Sequence, residues 1–421
     1  MTTRVRSLEA LNRENDAMLS LLQKPPILHL PLENSLDVLR GSGSVDFTRA
    51  SGGSYIDRYG ILQSVAVDGP RFEAAGLLVE GESTNLTANS EDLTLWNATN
   101  VTVTGNAATA PDGTVTAEQL DCTVAGGATR VNSNAAVVDT GQDITVSAFV
   151  KAGTMDKVSI RFIPSGGTTA QDLYADFDMT SKTFTSDGGA SNVPDRYGYT
   201  ECADGWFRIW ISSPLNNSGH TVVTIRIGAP LDTSDTGTVF AWGAQTEELS
   251  FASSYIVTAG ATVTRAADVC KVLIAGNAPS YVTEDVTTAI TTDTTGHNLT
   301  TQQFIYILKG TSVESFYWWE GAIDTLISYL ASVRSAEPAA ADMDQLTARR
   351  MVSVVEGTTR ALYVDGTNLV EDTGLSRPTA DYPDEYLYLG SNNTSIKQLF
   401  GHVKDFRIYD RALTAAEIAL L

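Results

Sequence analysis

Three kinds of residue in this 421-residue chain carry chemistry worth weighing: carboxylates, histidines with cysteines, and clustered aromatics. A jelly-roll glycosidase would set its carboxylates on one strand as E-x-D-x-E or E-x-D-x-x-E, and neither run occurs. Pairs such as Asp176/Asp178 and Asp342/Asp344 are equally at home on solvated strands and loops. Two carboxylates about 5 to 9.5 Å apart can still come from distant positions, so a depolymerase stays as a third reading. There is no G-x-S-x-G, H-E-x-x-H or Walker loop, and no catalytic residue is assigned. His29, His220, His297 and His402 are scattered, which speaks against a histidine metal site. Cys122, Cys202 and Cys270 are odd in number and far apart, and read as buried or half-buried thiols.

The aromatics are the stronger signal. Trp and Tyr rings stack on the apolar faces of sugars while keeping a polar edge wet. Trp206, Trp210 and Trp242 lie in strand-like motifs, and Trp206 and Trp242 read as core. Phe316-Tyr317-Trp318-Trp319 differs, because four consecutive aromatics on a strand cannot share one face. One pair must point away from its own core, toward another subunit, another domain or a ligand. Tyr317, Trp319 and Trp318 are therefore the candidate glycan-stacking residues, with the inward and outward registers both open.

The elements that must position these residues are mostly strands. Hydrophobic residues make up 43% of the chain, enough to build cores. Asp-Gly pairs at 68–69, 112–113, 187–188, 204–205 and 365–366 punctuate short apolar runs. Ile144, Val146, Ala148 and Val150 alternate, as do Val158, Ile160, Phe162 and Val223, Ile225, Ile227. A period of two predicts strands with one face on a core and one in water. Strands follow strands without helices between them, so the expected fold is mainly β, tandem antiparallel sandwiches. Residues 4–23 are the helical exception. Leu8, Leu11, Asn15, Met18 and Leu22 are spaced 3, 4, 3, 4, a heptad seam with a polar Asn at one a position. The seam predicts a short coiled coil that assembles subunits, with packing on its own domain as the alternative. Pro25-Pro26 ends it. Residues 275–300 are polar and Thr-rich and read as a linker or an edge strand. Thr414 with Glu417 predicts a capped terminal helix.

The net charge of −22 repels phosphate backbones and anionic membrane surfaces, so nucleic acid is not an expected partner. No apolar run approaches the roughly 18 residues of a membrane span, and no apolar stretch after Met1–Arg6 resembles a secretory signal.

Three stretches carry a resemblance. Phe47-Thr48-Arg49-Ala50-Ser51, Pro70-Arg71-Phe72, Gly76-Leu77-Leu78-Val79-Glu80 and Thr84-Asn85-Leu86 look like a segment of tailed-phage fibre proteins. Val146 to Gly153, Asp204-Gly205-Trp206-Phe207-Arg208, Trp242-Gly243-Ala244-Gln245 and Thr264-Arg265-Ala266-Ala267-Asp268 are similar to a carbohydrate-binding-module-like sandwich that follows it. Leu362 to Gly366 with Gly401 to Leu413 resembles the end of a concanavalin-A/laminin-G-like jelly roll. The resemblance implies a virion fibre or spike, homotrimeric, attached to other virion proteins by its N-terminus and presenting sandwiches to host-surface glycan. A decoration protein without ligand is the alternative. It implies no cofactor, although jelly rolls of this type sometimes hold a structural calcium, for which no ligands are assigned. The expected divisions are an assembling helix (1–24), a connector (25–95), the carbohydrate-binding-module-like sandwich (96–272), a linker (273–300) and the jelly roll (301–421).

Overall fold

The computed structural model describes residues 8–124, 129–139, 141–185, 193–215, 219–231, 235–273, 277, 283–294, 303–308, 314–320, 324–330, 333–336, 347–374, 386–391 and 398–421. For 8–12, 14, 303–304, 307–308 and 314–336 the side chains fall outside the described residues. The strands form four larger antiparallel sheets that pair into two sandwiches.

One sandwich is continuous in sequence. Its six-stranded sheet runs Arg196–Glu201, Trp206–Pro214, Asp143–Ala152, Gly237–Glu247, Ala117–Cys122, Val101–Ala108. Its second sheet centres on Leu173–Asp178, Lys157–Ser165 and Val222–Gly228. The alternating residues named above fill the space between, among them Ile144, Val146, Ile160, Phe162, Ile225 and Ile227. The opposite face of Asp143–Ala152 is not in water, contrary to expectation. Phe149, Trp206 and Trp242 pack there with Tyr255 and Leu62, so a second apolar layer covers part of the outer side of this sheet.

The other sandwich is assembled from both ends of the chain. Val286–Thr292 lies between Arg349–Glu356 and Gly401–Tyr409 in one sheet. That sheet is extended by Gly76–Val79 and Arg71–Glu73, and Leu28–Leu30 also pairs with Gly401–Tyr409. In the facing sheet Val45–Thr48 pairs with Val269–Leu273, which pairs with Tyr386–Leu389. Leu28, Phe47, Leu77 and Val79 thus share one core with Val272, Ile290, Val403 and Phe406. These pairings redraw the expected divisions. Residues 28–79 are not a separate connector; they complete the jelly roll, and the other sandwich is inserted into it. The interval 273–300, read as a linker, holds the buried strand Val286–Thr292. Its threonines are β-branched residues suited to a pleated surface, and Thr287 and Thr292 satisfy their hydroxyls on the carbonyls of Arg411 and His402.

Local punctuation follows the sequence. Asp365 (φ 49°) and Gly366 (φ 78°) make the tight turn between Thr359–Val364 and Thr367–Asp372. Thr414 and Glu417 form a capping box on the helix Ala415–Ile418.

The coiled coil is not formed. The N-terminal helix, Leu8–Gln23, has sixteen residues, and among its described side chains Ala17 is buried, with Leu21 half-buried against Leu413 and Ile418 of its own chain. Ser20 also hydrogen-bonds Glu417. The residues of the expected seam point elsewhere: Asn15 is exposed, Met18 is 57% exposed and Leu22 70%. Leu8 and Leu11 lie on the helix, with side chains outside the described residues. The packing contact is an i, i+4 pair on a different face, so the helix serves as a cover on the C-terminal sandwich.

Candidate functional site

Arg49, Arg71, Glu80, Arg265 and Asp268, from motifs far apart in the sequence, meet at a buried ion network. Arg71 donates to Glu80 (2.6 Å) and to Asp268 (2.5 Å), and Arg49 donates to the other oxygen of Asp268 (3.1 Å). Arg265 lies 3.5 Å from Glu80. Burial pushes the Glu80 carboxyl up, but Arg265 and Arg71 outweigh it and hold it well below the usual range. Glu80 also accepts from the Ser254 N–H, so the network ties residues 49–80 to the segment that closes the inserted sandwich. The Arg and Asp of these motifs are structural ties.

Next to this network the two sandwiches leave a cleft of about 500 Å³. One wall is the outer face of the six-stranded sheet, with Arg208 and Trp210. The other is the outer face of the jelly roll, with Glu73, Leu78 and His402, and with Asp293 beyond the end of Val286–Thr292. Trp210 alternates with the core residues Ile209 and Ile211, which forces its indole outward. It pairs with Gly198 on the edge strand, and the indole rests over that glycine: a Cβ there would meet Cζ2 at 2.7 Å. Trp210 is half-buried. Tyr197 and Tyr199 also border the cleft, but their rings turn to the opposite face and pack on Phe184 and Phe177.

The polar side of the cleft is fixed in place. His402 is buried, with Nδ1 2.8 Å from Asp293 and Nε2 3.0 Å from Glu73. Burial opposes its charge, yet hydrogen bonds and charge from Asp293 and Glu73 raise its pKa to about 10. The imidazolium therefore clamps two carboxylates that face the cleft. Arg208 reaches the Ser253 carbonyl (2.6 Å), and Arg196 stands 3.9 Å from Asp143. One aromatic plate with converging donors and acceptors can hold a polyhydroxylated ring, apolar face on the indole and hydroxyls on the polar wall.

The structure places the sequence candidates elsewhere. Tyr317, Trp318 and Trp319 lie on Glu314–Glu320, paired with Gln303–Leu308 and Asp324–Leu330. Their side chains are outside the described residues, and the cleft is built from other sheets. Trp206 and Trp242 are core, as expected. Cys122 and Cys270 are buried and Cys202 half-buried, all as free thiols. Among the described residues no three of His, Cys, Asp and Glu are grouped to hold a metal, and no helix is long and apolar enough to cross a membrane.

Comparison with known proteins bears on the C-terminal sandwich. The concanavalin A-like lectin/glucanases superfamily matches residues 337–419, less than half of the chain. No curated protein matches the chain in sequence. Among solved structures, the binding domain of Paraclostridial Mosquitocidal Protein 1 is similar at 14% identity and TM-score 0.29, over 37% of this chain and 42% of that one. Domain 4 of the Geobacillus stearothermophilus arabinanase AbnA, in complex with arabinotriose, is similar at 14% identity and TM-score 0.29, over 41% and 79%. The Ruminococcus gnavus IT-sialidase CBM40, bound to α2,3-sialyllactose, is similar at 16% identity and TM-score 0.28, over 33% and 83%. Likeness at these scores carries no functional argument. The C-terminal sandwich is similar to the concanavalin A-like superfamily in sequence, and the fold around it is a pair of antiparallel β-sandwiches.

Proposed function

We propose that this chain is a glycan-binding protein, not an enzyme, and that its site is the Trp210 cleft between the sandwiches. The observation that carries this is the indole laid over Gly198 at the mouth of a polar cleft of about 500 Å³. Clefts between modules are a usual place for small ligands. We further infer a setting on a phage particle, as a fibre or spike that contacts host-surface glycan. What supports that setting is the ordered series of motifs from Phe47 to Asp268. Repeated weak sites on a particle gain strength through effective concentration.

The test is Trp210→Ala, measured for glycan-array binding, host-cell adsorption and melting temperature. Loss of one stacked ring should weaken binding by roughly fivefold to tenfold, for about 1 kcal/mol or a little more. A variant that binds glycan and cells as well as the parent would remove the cleft from consideration. Parent protein that binds neither would favour the alternative of a decoration protein without ligand.

A further inference from the structure

A second cleft, of about 530 Å³, opens where the turn Leu93–Leu95 closes one end of the inserted sandwich. Glu91, Asp92 and Glu118 line it together with Asn89, Asn106 and Thr116, and no Lys, Arg or His does. Glu118 is the unusual member. It sits two residues before Leu120 on Ala117–Cys122, on the face that otherwise fills the core. It is 3% exposed, and its Oε2 is buried without a hydrogen-bond partner. The Leu93 backbone N–H also bonds this carboxyl. A buried acceptor left unpaired is costly, and its position on the cleft wall gives it an outlet.

We propose that this cleft binds a polyol bearing a protonated amine, of the amino-sugar class, with the ammonium group against Glu118 and the charges of Glu91 and Asp92 nearby on the cleft wall. An ammonium supplies the missing charge and three N–H donors. Asn89, Asn106 and Thr116 suit hydroxyl groups. The volume is that of a small organic molecule and far exceeds a bare ion.

Ligand charge is coupled to Glu118. Burial, with the negative charges of Asp92 and Glu91, pushes its carboxyl up to about 8 against the backbone hydrogen bonds it accepts. Asp112 adds its charge beside Glu91. Of the flanking strands, Val101–Ala108 has no titratable residue, and Gly237–Glu247 has only Glu247, bonded to Ser83 and Ser253 at the far end. An ammonium favours the ionised carboxylate, so binding at pH 7 expels a proton from Glu118.

Calorimetry on the full chain tests this with glucosamine, with N-acetylglucosamine as the uncharged control, in two buffers of different ionisation enthalpy. Glucosamine should bind at least about tenfold more tightly than the amide, with a buffer-dependent heat that reports proton release. Glu118→Gln should abolish that heat dependence, and both Glu118→Gln and Glu91→Gln should weaken binding by about tenfold. Glu91→Gln keeps the test decisive where Glu118→Gln does not fold. Trp210→Ala should leave glucosamine binding unchanged, which separates this site from the interface cleft. Equal affinity for the two sugars, no binding of glucosamine, unchanged affinity in both Glu variants, or displacement of glucosamine by millimolar calcium would each overturn the proposal.

Discussion

Gly198 and Trp210 face each other across the antiparallel pair Arg196–Glu201 and Trp206–Pro214, and the indole occupies the space a side chain at 198 would need. Three indole atoms lie 2.7 to 3.0 Å from the position of that missing Cβ. The glycine is needed for the close approach, since its φ is not in the left-handed region. Gly198→Ala should tilt the ring off the cleft wall. The expected result is several-fold weaker glycan binding with a melting temperature nearly unchanged, because the indole is half-buried and has room to move. Binding equal to the parent, with the ring seen displaced by crystallography, would show that the plate is not used.

His402 makes the interface sensitive to alkali. Its folded pKa, about 10, lies above the ordinary value of 6.5. A raised pKa means that the native state holds the proton more tightly than the unfolded chain. The stabilisation is therefore full below about pH 6.5 and disappears as pH rises through about 10. Urea unfolding at pH 6 and at pH 10 should differ for the parent by up to a few kcal/mol more than for His402→Gln. Comparison with the variant removes other groups that titrate in that window, Glu118 among them. Parallel pH dependence in the two proteins would show that the Asp293–His402–Glu73 clamp contributes nothing.

The buried network gives a sharper stability effect. Asp268 accepts from Arg49 and Arg71, and its Oδ2 also takes the Glu80 N–H at 2.8 Å. Asp268→Asn keeps the shape and removes the charge, leaving two buried guanidinium groups with one fewer counter-charge. Breaking one side of such a pair costs about 3–5 kcal/mol. The midpoint of urea unfolding should fall accordingly. A loss below about 1 kcal/mol would mean that water reaches the arginines after all.

Much of this architecture was legible locally. The strand periods around Val146, Ile160 and Ile225, the Asp365-Gly366 turn and the Thr414 cap depend on neighbours a few residues away, and local patterns carry them. The insertion was not legible. Leu28 pairs with Ile408 and Phe47 with Cys270, contacts that no local pattern encodes. The same limit hid the cleft, since Trp210 and His402 are brought together only by packing the two sandwiches. The heptad spacing at the N-terminus is real but does not set the packing, because Ala17 and Leu21 offer a shorter contact face to the chain's own C-terminal helix. The Arg and acidic residues of the motifs between Phe47 and Asp268 mark an interior network that no local pattern distinguishes from a surface one.

The strand Val286–Thr292 is the clearest test of the redrawn organisation. It sits between Arg349–Glu356 and Gly401–Tyr409, with hydrogen-bonded partners on both sides. Val286 and Ile290 fill the core with Phe406, and Ala289 packs on the opposite face with Tyr409. Central strands open only by large-scale unfolding, whereas a linker exchanges its amides freely. Hydrogen exchange followed by mass spectrometry should place peptides covering 286–292 among the slowest in the chain, as slow as those covering 401–409. The same reasoning gives a mutational counterpart: Ile290→Ala should cost about 2–5 kcal/mol through the cavity it leaves. Because Leu28, Leu77 and Val79 share that core, the loss should also speed exchange in peptides covering 28–30 and 76–79. Fast exchange at 286–292 in the parent would restore a divided chain, with a linker between two independent units. Acceleration confined to residues after 300 would leave the N-terminal strands outside the jelly-roll core.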